Sequence, residues 1–123
     1  MASANEENGL MNDDNQKKNT EIEIPDDTEL QTILNVFKTM SDPTRMKIIL
    51  TIAKKPITVT EIAKALSLEQ STVSHQLRQL KQERLVIGDR SGKQIFYRLA
   101  DDHVLQIYAL TKTHIEEKHA LGH

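Results

Sequence analysis

A mainly α-helical domain carrying one β-hairpin is the fold class this sequence predicts. Three observations lead there. Apolar residues recur at helical spacing in successive segments, two of those segments are separated by only about three residues, and two short β-type runs flank a glycine-containing stretch. Two helices joined that tightly and followed by a hairpin make a winged helix-turn-helix, here with one extra helix before it and one after it. The chain has 123 residues, the size of a single domain.

Residues 1–25 are rich in Asn, Asp, Glu and Lys with almost no apolar pattern, and are expected to form a disordered acidic tail. A first helix begins near Asp26 and Asp27, whose charges suit a helix N-terminus. Leu30, Ile33, Leu34, Phe37 and Met40 give it an apolar stripe. Asp42-Pro43 restarts the chain as an N-cap followed by a first-turn proline. The second helix, over 44–54, carries Met46, Ile48, Ile49, Leu50 and Ile52 and should be almost fully buried. Lys54-Lys55-Pro56 ends it.

Thr58-Val59-Thr60-Glu61 has the form of a capping box and opens a short helix with Ile62, Ala63 and Leu66. Ser67-Leu68-Glu69 breaks it. The next helix runs over 70–83, with Val73, Leu77 and Leu80 facing inward. Leu85-Val86-Ile87 and residues 94–99 read as strands around a basic tip spanning 88–93. Asp101 can cap a last helix bearing Val104, Leu105, Ile107, Tyr108, Leu110 and Ile115. The structured domain is thus expected over 26–119, for DNA binding and dimerisation, with a flexible end at 120–123.

Charge separates along the chain. Residues 1–30 hold nine acids and two bases, for −7. Residues 31–100 hold five acids and twelve bases, for +7, and residues 101–123 hold four acids and two bases, for −2. A basic middle between acidic ends suits a polyanion. The absence of Cys excludes disulfides, thiolate nucleophiles and Cys-ligated zinc. No apolar run is long enough to span a membrane, and residues 1–20 lack a secretory core, so a cytoplasmic location is expected. Four glycines and 3% aromatic residues argue against phosphate-cradling loops and against single-strand base stacking.

The outward face of the helix over 70–83 carries Gln70, Ser71, Thr72, Ser74, His75, Arg78 and Gln79. Hydroxyls and amides bond phosphates or base edges, and arginine reads guanine. Lys81 and Arg84 would lie nearer the backbone, and Arg90 and Lys93 at the wing tip could reach phosphate or the minor groove. An ordinary solvated helix face would look similar, and the basic charge together with the motif topology favours DNA. No Ser-His-Asp arrangement accompanies His75, so an enzyme is not expected.

The stretches Ser41-Asp42-Pro43-Thr44-Arg45, Ser71-Thr72-Val73-Ser74-His75-Gln76-Leu77-Arg78-Gln79-Leu80, Leu85-Val86 and Gly92-Lys93-Gln94-Ile95-Phe96-Tyr97-Arg98-Leu99 resemble the bacterial ArsR/SmtB metalloregulatory repressors. The likeness covers roughly residues 28–118. It implies a homodimer that binds operator DNA, an imperfect palindrome, and releases it when metal binds. One metal site of that family uses a Cys-x-Cys pair, where Thr58 and Thr60 stand here, so that site is absent. The other lies on the last helix, and its pattern is met by Asp101, His103, His114 and Glu117. That set resembles the zinc-sensing branch, with Co2+ as a possible substitute. The resemblance also implies that His114 contacts the backbone near Arg84, linking metal to reading helix. Glu69 departs from the family pattern, which has Ser there; a carboxylate at that position is expected to act as a helix cap or to weaken phosphate contact.

Geometry agrees with a shared site. His103 and His114 are eleven residues apart, so they share a helix face yet stand about 16 Å apart along the axis. Zinc–nitrogen bonds are about 2 Å, so one helix cannot bring both to one ion, whereas two antiparallel copies can. His119 and His123 are four apart and could chelate too, but lie at the chain end. The alternatives are a repressor of the same family answering to cobalt, nickel or a non-metal signal, a metallohydrolase, and a module that docks an acidic protein.

Overall fold

The computed structural model describes residues 22–120. The expected acidic tail falls mostly outside them, as does the chain end at 121–123. Residues 22–26 form no regular element. The chain divides into two units between Ile33 and Leu34. The elements are α1 (Asp27–Met40), α2 (Pro43–Lys54), α3 (Val59–Leu66), α4 (Gln70–Gln82), β1 (Val86–Ser91), β2 (Gln94–Leu99) and α5 (His103–Ala120). This is the winged helix-turn-helix order.

Each boundary has a local chemical cause. The Asp26 carboxylate accepts from the Glu29 amide at 2.8 Å and starts α1. Asp42 accepts from the Arg45 amide at 2.9 Å, with Pro43 in the first turn of α2. At α3 the capping box is complete: the Thr58 hydroxyl accepts from the Glu61 amide at 3.2 Å, and Glu61 accepts from the Thr58 amide at 3.1 Å. Ser67 closes α3 in the left-handed region at φ 56°, with the Leu68 amide donating to the Ala63 carbonyl at 2.9 Å. That single left-handed residue makes the turn between the two helices of the motif.

The second closure of this kind is at Arg84, φ 61°, where glycine is the usual residue. Its amide donates to Lys81 and the Leu85 amide to Leu80, each at 2.9 Å, so the chain leaves α4 directly into β1. Glu69 occupies the position before α4 but makes no capping hydrogen bond through its side chain. The cap expected of it is not formed.

The core joins all the elements of the motif. Ile48, Ile49 and Ile52 of α2 meet Ile62 and Ala63 of α3, Val73, Leu77 and Leu80 of α4, Val86 of β1 and Val104 of α5. Met46 and Leu50, expected to be buried, are only half-buried. The hairpin differs from expectation. β1 continues through Gly88, Asp89, Arg90 and Ser91, and only Gly92 and Lys93 form the turn. Gly92 has φ 64° and Lys93 does not share that sign, the pattern of a type II′ turn, whose twist suits paired strands. The Gly88 position is closed to larger residues, since a Cβ there would lie 2.9 Å from Ile95 and 3.1 Å from the Tyr97 ring. Ile57 bridges to Tyr97 by two backbone hydrogen bonds, of 3.1 and 2.8 Å, which tie the wing to the entrance of α3. No helix among the described residues is long and apolar enough to cross a membrane.

Removing the cap isolates its contribution. Thr58→Ala should cost about 1 kcal/mol of stability in urea unfolding. Hydrogen bonds from Thr58 hold the Glu61 carboxyl below its usual range. Its stabilising effect is therefore complete above the ordinary carboxylate range and lost as pH falls through the lowered folded value. Thr58→Ala keeps the backbone donor and removes the hydroxyl, so it should reduce that acid-side loss only in part.

Candidate metal half-sites and nucleic-acid face

Two pairs of metal-type ligands stand at different levels of α5. At its start, the Asp101 carboxylate accepts from the His103 amide at 3.0 Å, and the same oxygen lies 3.2 Å from His103 Nδ1. Both side chains are exposed. Two donors bound tetrahedrally at about 2.0 Å from zinc are about 3.3 Å apart, so this pair already has the spacing of two zinc ligands. Farther along, His114 and Glu117 line one groove with Leu110, Thr111 and Thr113. They are three residues apart and neighbours on the helix surface. Glu116 is drawn away by Lys112, whose ammonium it holds above the usual range. Glu117 keeps no such partner among the described residues.

Among the described residues no three His, Asp or Glu groups converge on one point. His119 lies in α5 without a described side chain, and His123 is outside the described residues. His114 makes no hydrogen bond to residue 84 among the described residues. Several apolar side chains of the two outer helices remain uncovered, among them Leu34, Phe37, Leu110 and Ile115, at 46, 48, 73 and 49% exposure. Exposed apolar groups such as these are what a contact with another protein would cover.

Most candidate DNA residues lie where the pattern put them. Gln70, Ser71, Thr72, His75 and Arg78 are exposed on α4, and Ser74 is half-buried. Gln79 is different: it is half-buried and its amide oxygen accepts from Arg45. It turns toward α2 instead of standing free. Arg90 is in β1 opposite Ile95, not at the tip, while Lys93 is in the turn itself. Arg84 is exposed at the exit of α4.

Tyr97 was not singled out from the sequence, yet it lines both clefts between α4 and the wing. One is bounded by Ser74, Arg78, Lys81, Gln82 and Tyr97. The other includes Thr60, Ser74, Lys93 and Tyr97. Their polar and cationic walls suit a phosphate backbone. The available signal was an amphipathic aromatic in a strand beside a basic turn. Across the wing Arg98 pairs with Asp89 at 2.7 Å, neutralising an acid on an otherwise basic hairpin.

Residues 42–87 match the family described as bacterial regulatory protein, arsR family. The chain is 32% identical to the transcriptional repressor SmtB homolog of Synechocystis over 83% of its own length and 77% of the relative's. Its fold is similar to the homodimeric winged helix-turn-helix DNA-binding domain of Mb0332 from Mycobacterium bovis, at TM-score 0.67 and 27% identity, covering 83% of this chain and 96% of that one. It is likewise similar to the AntR antimony-specific transcriptional repressor, at TM-score 0.69 and 28% identity, covering 81% and 91%. The chain belongs to the arsR family of bacterial regulatory proteins. It is a transcriptional regulator of the winged helix-turn-helix type and not an enzyme.

The uncapped start of α4 offers a direct test of the local account. Glu69→Ser supplies the missing acceptor for a free amide. It should raise stability by about 0.5–1 kcal/mol, read as an increase in the melting temperature.

Proposed function

We propose that this protein is a metal-responsive transcriptional repressor, that it works as a homodimer, and that zinc is the metal its donor set fits best. Cobalt, which shares the geometry, is the expected substitute. The carrying observation is the 3.2 Å spacing of Asp101 and His103 at one end of a helix whose other pair, His114 and Glu117, is too far along to join them. Two imidazoles and two carboxylates, one pair from each chain, would complete a tetrahedral site. A twofold axis then gives two such sites. The repressor name of the Synechocystis relative and the antimony response of AntR support a repressor that answers to a metal or metalloid.

In this reading the exposed apolar groups of α1 and α5 cover each other across the dimer. Gln70, Ser71, Thr72, Ser74, His75 and Arg78 of α4 face the major groove, with Gln79 at their edge. Arg90 and Lys93 of the wing meet the flanking backbone. Two reading helices related by a twofold axis call for an imperfect palindrome as operator. Bound zinc would supply a fixed link between the two α5 helices. His114, through its second ring nitrogen, would meet the backbone at Arg84, where α4 ends in a left-handed residue. The metal-free dimer holds operator, and the metal-loaded dimer releases it. A regulator of this kind acts in the cytoplasm, and the acidic segment 1–25 precedes the domain, assigned to 26–119, in sequence.

Equilibrium dialysis should find about one zinc per chain, lost in His103→Ala. A gel shift on the protein's own promoter should show zinc releasing the wild type. His114→Gln should bind the same duplex yet resist release. Normal release of His114→Gln by zinc would refute the His114–Arg84 link. Imidazole ligates only when neutral, so protons compete with zinc and zinc-driven release should weaken in acid, while metal-free DNA binding persists.

A further inference from the structure

Arg45 stands in the first turn of α2 and reaches two amides on the neighbouring helix. Its Nε donates to Gln76 Oε1 at 2.6 Å, and a terminal nitrogen donates to Gln79 Oε1. A guanidinium has donors only, so both amides must turn their oxygens toward it. Gln76 and Gln79 are three residues apart on α4, neighbours that one planar guanidinium can bridge.

With its oxygen committed, Gln79 turns Nε2 the other way. That atom lies 3.4 Å from Nε2 of His75, one helical turn back. An amide nitrogen only donates, so the ring nitrogen facing it must carry a lone pair. In a neutral imidazole the remaining proton then belongs to Nδ1. His75 is exposed on the face of α4 that carries Ser71 and Arg78, and its Nδ1 has no partner among the described residues.

We propose that Arg45, acting through Gln79, fixes neutral His75 as the Nδ1–H tautomer, so that α4 offers DNA a hydrogen-bond donor at that position. This rests on the DNA-binding reading above. The complementary group is an acceptor: a purine N7 or O6, a thymine O4, or a phosphate oxygen. A cytosine amino group would be rejected there, because it too donates. Arg45 and Gln79 are positioning residues in this arrangement, and His75 is the residue that touches DNA. A fork that merely packed α2 against α4 would leave the ring free to choose its tautomer.

The test uses the full chain with 15N-labelled histidine, read at about pH 8.5, above the ordinary range of histidine titration. Ring-nitrogen shifts should report the proton of His75 on Nδ1. In Gln79→Leu and in Arg45→Met it should move to Nε2. Gln79→Leu keeps the readout if Arg45→Met fails to fold. A wild-type ring protonated at Nε2, or one unchanged in Gln79→Leu, overturns the relay.

The DNA arm uses a duplex selected by the wild type from random sequences. His75→Ala should weaken binding to it about tenfold. Loss of that difference on 7-deazapurine substitution at one position identifies a purine N7. Weaker binding with unchanged base preference identifies a phosphate, and the salt slope should stay the same because a neutral donor releases no counterion. If His75→Ala leaves affinity unchanged, the donor assignment is wrong. If the wild type selects no duplex, the DNA reading itself fails, and the ring shifts still decide the relay.

Discussion

His103 and His114 are eleven positions apart in one continuous helix, about 16 Å of rise. That distance is several times the bond a metal ion can span. The two pairs of ligands on α5 therefore cannot serve one ion from one chain, and the proposed sensor depends on that limit. It converts a local chelation problem into a quaternary one. In that proposal an ion would be held where two chains lie with their last helices antiparallel, so occupancy and dimer geometry would become the same variable. If DNA also selects among arrangements of the two reading helices, the proposed sensor would couple the two ligands. Such coupling would be reciprocal: whatever factor zinc took from operator affinity, operator would take from zinc affinity.

The rest of the domain keeps the reading helix rigid relative to that switch. α4 is anchored below by Val73, Leu77 and Leu80 in the core and laterally by the Arg45 fork. At its exit Glu83 accepts from the buried Thr39 hydroxyl of α1 at 2.5 Å. The same end turns left-handed at Arg84 and enters β1 without a linker. Reading helix, wing and the end of α1 thus meet within a few residues. A shift of the outer helices has short covalent and hydrogen-bonded routes to the surface that faces DNA.

Much of this was legible in the residues because its causes are local. Asp42-Pro43 and the Thr58–Glu61 box mark helix starts through their own side chains, and the stripe of Val73, Leu77 and Leu80 follows from helical periodicity. The family membership and the winged helix-turn-helix order stand as read. Other features depend on partners far along the chain and leave no periodic trace. Gln79 lies about 100° around α4 from Leu80, at the edge of the buried stripe, and only Arg45, 34 residues earlier, decides which way it turns. Tyr97 gains its place between two clefts from the Ile57 bridge and from the bare backbone of Gly88, neither of which a strand pattern reveals. The length of β1 was underestimated because its outer half is polar and exposed, so alternation could not mark it. For Glu69 the departure from the family pattern leaves two readings, a helix cap or a weaker phosphate contact, and of these the cap is not formed, since no oxygen of its side chain reaches a free amide of α4.

Mixing two defective proteins tests the shared-site claim most directly. His103→Ala spoils the near pair of one chain, and His114→Ala spoils the far pair of the other. Neither homodimer would keep an intact site, whereas a mixed dimer would rebuild one from its undamaged halves. Tight zinc binding should therefore reappear after the two proteins exchange subunits, at one ion per mixed dimer. Zinc binding that stays absent after exchange, or that either variant retains on its own, would contradict a site shared between chains.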